Sequence, residues 1–297
     1  MNLLVVVVVL VLTGWVRMGY EHALSEELER ERVLTPAFDM ESRAGLSQKG
    51  FIATFGSLRP TLAALTVLSS SKHHTNQDWT ALEGAIETSV MLDPYNPYYW
   101  DLGAWHMAYN AAGSYQKNEE YAPLRRQRLF KESIYTGDSL LERGIHANPE
   151  DLGLRLQRAR LWSSVHRIQD FPRVVEILQR ALTELELSDQ QRLMLQSDLF
   201  YTLMRMPEKV QEAYALGRWL YESAPSTRVP SLVNGLCALQ MHPKVKVDEP
   251  IGMAQLYGNK ANAIRLVSNY LRDEDPVKPR YGMQALLDRL RAEPPSK

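Results

Sequence analysis

The chain has 297 residues, with 34 Lys and Arg against 35 Asp and Glu for a formal net charge of -1, and it is 45% hydrophobic and 23% charged. That composition belongs to a folded protein rather than a disordered one, and the even charge balance argues against a nucleic-acid partner, which calls for a basic excess or stripe. A single cysteine, Cys237, excludes an intramolecular disulfide and a thiolate metal cluster. It lies in an apolar helical run, where it reads as a small buried hydrophobe.

Leu3 to Val16 is an apolar run without a charge, followed by Arg17. A helix needs roughly 20 residues to cross a bilayer, and the span from Asn2 to Tyr20 reaches that with its flanks. The residues after the run offer no A-x-A-like cleavage site, whereas Trp15, Tyr20 and Arg17 suit a membrane interface. The reading is a retained transmembrane anchor over 1–20. Arg17, Arg30 and Arg32 follow the run and no Lys or Arg precedes it, which taken alone favours a cytoplasmic body.

The stretch 21–45 is a charged stalk or linker, in which Tyr20, Leu24 and Leu28 fall at four-residue steps before Thr35-Pro36. The repeat-like helical domain covers 46–293, with a frayed tail at 294–297. Within it, Phe51, Phe55, Leu58, Leu62 and Leu65 alternate steps of four and three. They predict an amphipathic helix over Gly50 to Ser70 with that stripe packed inward and a possible kink at Pro60. Trp79, Leu82, Ile86 and Val90 give the next apolar stripe. Asp93-Pro94-Tyr95-Asn96-Pro97 ends that helix, since neither proline donates a backbone hydrogen bond. A second helix opens at once, with Trp100, Ala104 and Met107 or Ala108 facing inward and Gly103-Ala104 small enough for close approach.

Ala111 to Tyr121 is polar and reads as a loop, and Pro123 to Gly144 as a helix. Leu152 to Ile168, a helix opened by Asp170-Phe171, and one capped by Ser188-Asp189 follow, with Pro207 at the start of the next and Pro225 after it. Val229 to Met241, a short helix opened by Asp248-Glu249-Pro250, Lys260 to Leu271 behind an Asn259 cap, and Tyr281 to Leu290 complete the chain.

The Trp79-x-x-Leu82-Glu83 helix, the Leu92-Asp93-Pro94 turn and the Ala104-Trp105-His106-Met107-Ala108-Tyr109-Asn110 helix together resemble the tetratricopeptide repeat (TPR). With Phe51 to Arg59 included, they resemble more narrowly a group of membrane-anchored TPR proteins of planctomycete- and verrucomicrobia-type bacteria. The chain departs from that group at Pro60. Turn prolines Pro94 and Pro149 stand 55 residues apart, well above the TPR period of about 34. The resemblance implies an all-α, TPR-like α-solenoid of stacked antiparallel hairpins behind the N-terminal transmembrane helix. It further implies an exported, periplasmic body, and it carries over no catalytic residues.

No phosphate-binding glycine loop, no Gly-x-Ser-x-Gly elbow and no His-Glu-x-x-His occurs. His73-His74 beside Asp78 reads as an exposed polar turn, and His106 becomes a candidate only if it faces a groove. Asp138, Glu142, Glu176 and Glu184 are spaced as solvated helix faces rather than as a carboxylate pair aimed at one atom. Neither a metal nor another cofactor is called for, and the chain reads as a non-enzyme. The expected function is a membrane-tethered scaffold taking a protein or peptide into a concave groove, the alternative being an assembly factor or enzyme accessory subunit. In TPR arrays the first helices of each hairpin line that groove. Offsetting from the inward Trp100 and Ala104 puts Tyr98, Asp101, Trp105 and Tyr109 on a different stripe, which a further helix such as Gly50 to Ser70 either covers or leaves open, and from Ala159 it adds Leu156 and Arg160. An exposed Trp and Tyr with an acid and an arginine is the composition of a binding hot spot.

Overall fold

The structure is a computed structural model that describes residues 58–273, 275 and 277–292, together with Arg30. The anchor, most of the stalk, the stretch 46–57 and the tail lie outside the described residues. The described residues are helical throughout, without a strand, and none of their helices is long and apolar enough to cross a membrane. They form two compact units, divided after Pro149.

In the first unit, α1 (Arg59–Thr75) packs on α2 (Trp79–Leu92). Asp78 caps α2 by accepting from the Ala81 N–H, and Trp79, Leu82, Ile86 and Val90 are all buried as their spacing predicts. The inward face of α1 is a correction. Leu58, Leu65 and Leu68 are exposed, while Arg59, Ala63 and Ser70 are buried. The small and polar face of α1 lets the two helices approach closely enough for the buried Ser89 hydroxyl of α2 to donate to the Ala63 carbonyl at 3.2 Å. Arg59 donates across to the Met91 carbonyl at 3.3 Å. A leucine stripe would have held the backbones apart and left these groups unpaired. Pro60 falls in the first turn of α1 as described, where a missing N–H costs nothing.

The Asp-Pro turn leads to α3 (Pro97–Trp105), capped by Asn96. The Pro94 carbonyl accepts from the Trp100 indole N–H at 2.8 Å and from the Asn148 amide at 3.0 Å, which ties the turn to the end of the unit. The helix then continues where the sequence suggests a loop. A π-helical turn (His106–Ala111) joins α3 to α4 (Ala112–Lys117), and α5 (Pro123–Ala147) packs along this whole length. Ala111 and Ala112 are fully buried, so the polar composition of 111–121 hid two core positions. Gly103 provides the close approach expected of it, since a Cβ there would lie 2.5 Å from the Ile86 side chain.

The second unit begins with α6 (Leu152–Ser163) and α7 (Phe171–Glu184), capped by Asp151 and Asp170. α6 is shorter than the periodicity suggests, and 164–169 forms the turn between the two. α8 (Asp189–Leu203) opens with a capping box, in which the Ser188 hydroxyl takes the Gln191 N–H and the Gln191 side chain takes the Ser188 N–H. α9 (Val210–Ser223) starts three residues beyond Pro207, which lies in the preceding turn. α10 (Pro230–Gln240), the short α11 (Met253–Tyr257), α12 (Lys260–Arg272) and α13 (Met283–Ala292) follow. Each of α6 to α10 packs on its successor, α10 also packs on α12, and α12 packs on α13. Trp162, Phe200 and Cys237 are buried in this core, and a Cβ on Gly217 would lie 2.4 Å from the Phe200 ring.

Candidate functional site

One concavity of the described second unit is a groove of about 260 Å³. Its walls are α6, through Leu156, Ala159, Arg160 and Ser163, and α8, through Asp198, Tyr201, Thr202 and Arg205. Both sets follow the three- and four-residue steps of one helix face. Phe171, Val174 and Leu178 of α7 close the bottom, with Val174 and Leu178 buried. The groove is therefore apolar below and polar along both rims.

Most of the rim is already engaged. Arg205 pairs with Asp275 at 2.9 Å and also donates to the Tyr201 carbonyl. The Tyr201 hydroxyl shares a 2.7 Å hydrogen bond with Ser231, and burial raises its pKa. Thr202 donates to the Asp198 backbone carbonyl at 2.8 Å, and Ser163 to the Arg160 carbonyl at 3.2 Å. The Asp198 carboxylate differs: it makes no ion pair among the described residues. Much of its residue surface is open, yet the surrounding walls take enough water from the carboxyl to raise its pKa, against the opposing pull of Arg160. Arg160 is exposed and donates to Gln157 at 3.4 Å.

The structure brings Leu156 and Arg160 together in this groove, as the α6 spacing suggests. The other four residues singled out in the sequence belong to the first unit. Tyr98 and Trp105 are 59% and 49% exposed, so α1 leaves that stripe open, while Asp101 and Tyr109 are half-buried. Tyr98 stands edge-on to Tyr99, and Trp105 edge-on to His106. His106 has a second neighbour that the sequence did not indicate, because the end of α1 places the His74 ring 5.0 Å from it. The Asn110 amide reaches both, at 3.1 Å from His106 Nδ1 and 3.4 Å from His74 Nε2. Burial and the neighbouring His74 lower the His106 pKa, which favours the neutral ring. No group of three or more His, Cys, Asp or Glu able to hold a metal occurs among the described residues. Of the carboxylates read as solvated, Glu142, Glu176 and Glu184 are exposed, but Asp138 is buried at 6% exposure. It lies on the same packed face of α5 as Ile134 and Leu141.

Asp198, Tyr201 and Arg205 were missed in the sequence. The signal was present, since they repeat on α8 the spacing that Leu156, Arg160 and Ser163 have on α6.

No family model, curated protein or solved structure matches the chain.

Proposed function

We propose that the chain is a TPR-like, membrane-tethered scaffold of the cell envelope that holds an extended segment of a partner protein. The observation that carries this is the α6–α8 groove, an apolar trough with polar and charged rims. Its volume of about 260 Å³ lies below the roughly 300–1,000 Å³ usual for small-molecule sites. It suits one or two side chains of a peptide laid across it. Tyr98 and Trp105 supply a further contact surface on the first unit, where half-exposed aromatic rings offer area at low entropic cost. Stacking of the hairpins as a solenoid, the N-terminal anchor and a periplasmic face belong to this reading.

A photo-crosslinking residue placed at Arg160 or at Trp105 in the full chain, in native membranes, tests it. A discrete captured protein is expected, lost from the Arg160 position when Ala159→Trp fills the groove and retained from there when an exposed α5 residue such as Leu124 is changed. Capture indifferent to Ala159→Trp, with the melting temperature unchanged, would remove the groove from the function.

A further inference from the structure

We propose that His74, at the end of α1, and His106, in the π-helical turn, form a chelating site for a divalent transition-metal ion such as Zn²⁺, completed by the Asn110 side-chain oxygen and by water. The site belongs to the first unit and does not depend on the peptide-binding reading.

The two rings come from different elements and turn toward one point. Asn110 Nδ2 lies 3.1 Å from His106 Nδ1 and 3.4 Å from His74 Nε2, so one nitrogen of each ring faces the same atom. An amide NH₂ group only donates, which makes both facing nitrogens lone-pair acceptors. The ring centroids are 5.0 Å apart. An ion about 2.0–2.1 Å from each of two imidazole nitrogens, at a tetrahedral angle, sets the centroids about 5 Å apart as well. The backbone therefore already gives the rings the spacing of a shared ion. Each ring is also packed in place, His74 edge-on to the buried Trp79 at 5.7 Å and His106 edge-on to Trp105 at 5.0 Å. Burial and the neighbouring His74 favour the neutral His106 ring that a metal requires. The Asn110 amide turns on its terminal torsion, which is soft, and so presents Oδ1 to an arriving cation in place of its N–H groups. His106 and Asn110 both lie in the π-helical turn, a rare conformation that recurs at functional sites. No third His, Cys, Asp or Glu stands with them among the described residues, so the site is an open one with water in its remaining positions. Two imidazoles and an amide oxygen suit a borderline transition ion, whereas Mg²⁺ and Ca²⁺ call for oxygen ligands.

The test is isothermal titration of the full chain in detergent with Zn²⁺, in a buffer that does not coordinate metals, with Ca²⁺ in parallel. Zn²⁺ should bind and Ca²⁺ should not. His74→Ala and His106→Ala should each weaken Zn²⁺ binding at least about tenfold, the lower end of what the loss of even an outer partner of a metal ligand costs. His73→Ala should leave it unchanged, since His73 faces Asp78 at 4.0 Å instead. Asn110→Asp should tighten binding at least about tenfold by exchanging a neutral oxygen ligand for a carboxylate, a gain that an unfolded variant cannot show. The absence of Zn²⁺ binding, binding that survives both histidine changes, equal binding of Ca²⁺, or an Asn110→Asp variant that binds no more tightly overturns the inference.

Discussion

Gly137 of α5 lies where the helix crosses the π-helical turn, and a Cβ there would stand 2.6 Å from the Ala108 Cβ and 2.9 Å from the Ala104 carbonyl oxygen. Neither is the end of a flexible side chain, so the helices themselves would have to part. Gly137→Val should therefore lower stability by about 2 kcal/mol or more, read as a shift of the urea midpoint at unchanged slope. Glu184 is a second point where one side chain carries more than its surface position suggests. Its carboxylate takes Arg180 at 2.8 Å and Arg155 at 2.7 Å, and Arg155 is buried. The two arginines hold the Glu184 pKa below the ordinary glutamate range. A carboxyl whose pKa is lower folded than unfolded stabilises the protein above the unfolded pKa, and that contribution is lost as pH falls through the folded one. Glu184→Gln should thus make unfolding less steep in pH on the acid side of the ordinary glutamate range. An acid limb identical to that of the unaltered protein would show that the pair contributes nothing to folding.

At the scale of elements, the start of α8 determines how firmly one wall of the groove is held. Ser188 and Gln191 satisfy two otherwise unpaired backbone N–H groups, and Asp198, Tyr201 and Arg205 lie further along the same helix. Ser188→Ala should cost about 1 kcal/mol, visible as faster amide exchange in the first turns of α8. Exchange unchanged there would mean that packing alone fixes the helix. Features of this kind were legible in the sequence. The caps Asp170, Ser188 and Asn259, the Asp-Pro turn and the stripes of α2 and α3 each follow from residue chemistry within a few positions. What was not legible depends on partners distant in the chain. α1 buries Ala63 and Ser70 rather than its leucines because Ser89 of α2 meets its backbone. Ala111 to Lys117 is helical despite its polar composition because α5 packs along it. Leu156 and Arg160 could be placed by offset from Ala159, whereas Asp198 joins them only because α8 packs on α7.

For the whole molecule, the proposal to be tested is that the chain is tethered to a membrane. Among the described residues no helix is long and apolar enough to cross one, and the proposed tether lies outside them. Leu3 to Val16 is a stretch with that composition, since it is apolar and uncharged, carries Trp15 near its end and is followed by Arg17 and Tyr20. A hydrocarbon core asks for roughly 20 apolar residues in a helix, a length that the span Asn2 to Tyr20 would meet only with its aromatic and basic flanks counted at the interface. A retained helix of that length holds a protein through treatments that strip peripheral contacts, because its removal would expose every apolar residue of the run to water. The full chain should stay in the membrane pellet after alkaline carbonate extraction, and deletion of residues 3–16 should move it to the supernatant while leaving its circular dichroism helical. Release of the full chain, or a mature N-terminus beyond Tyr20, would show that the run is removed. The scaffold reading would then have to stand without a membrane tether.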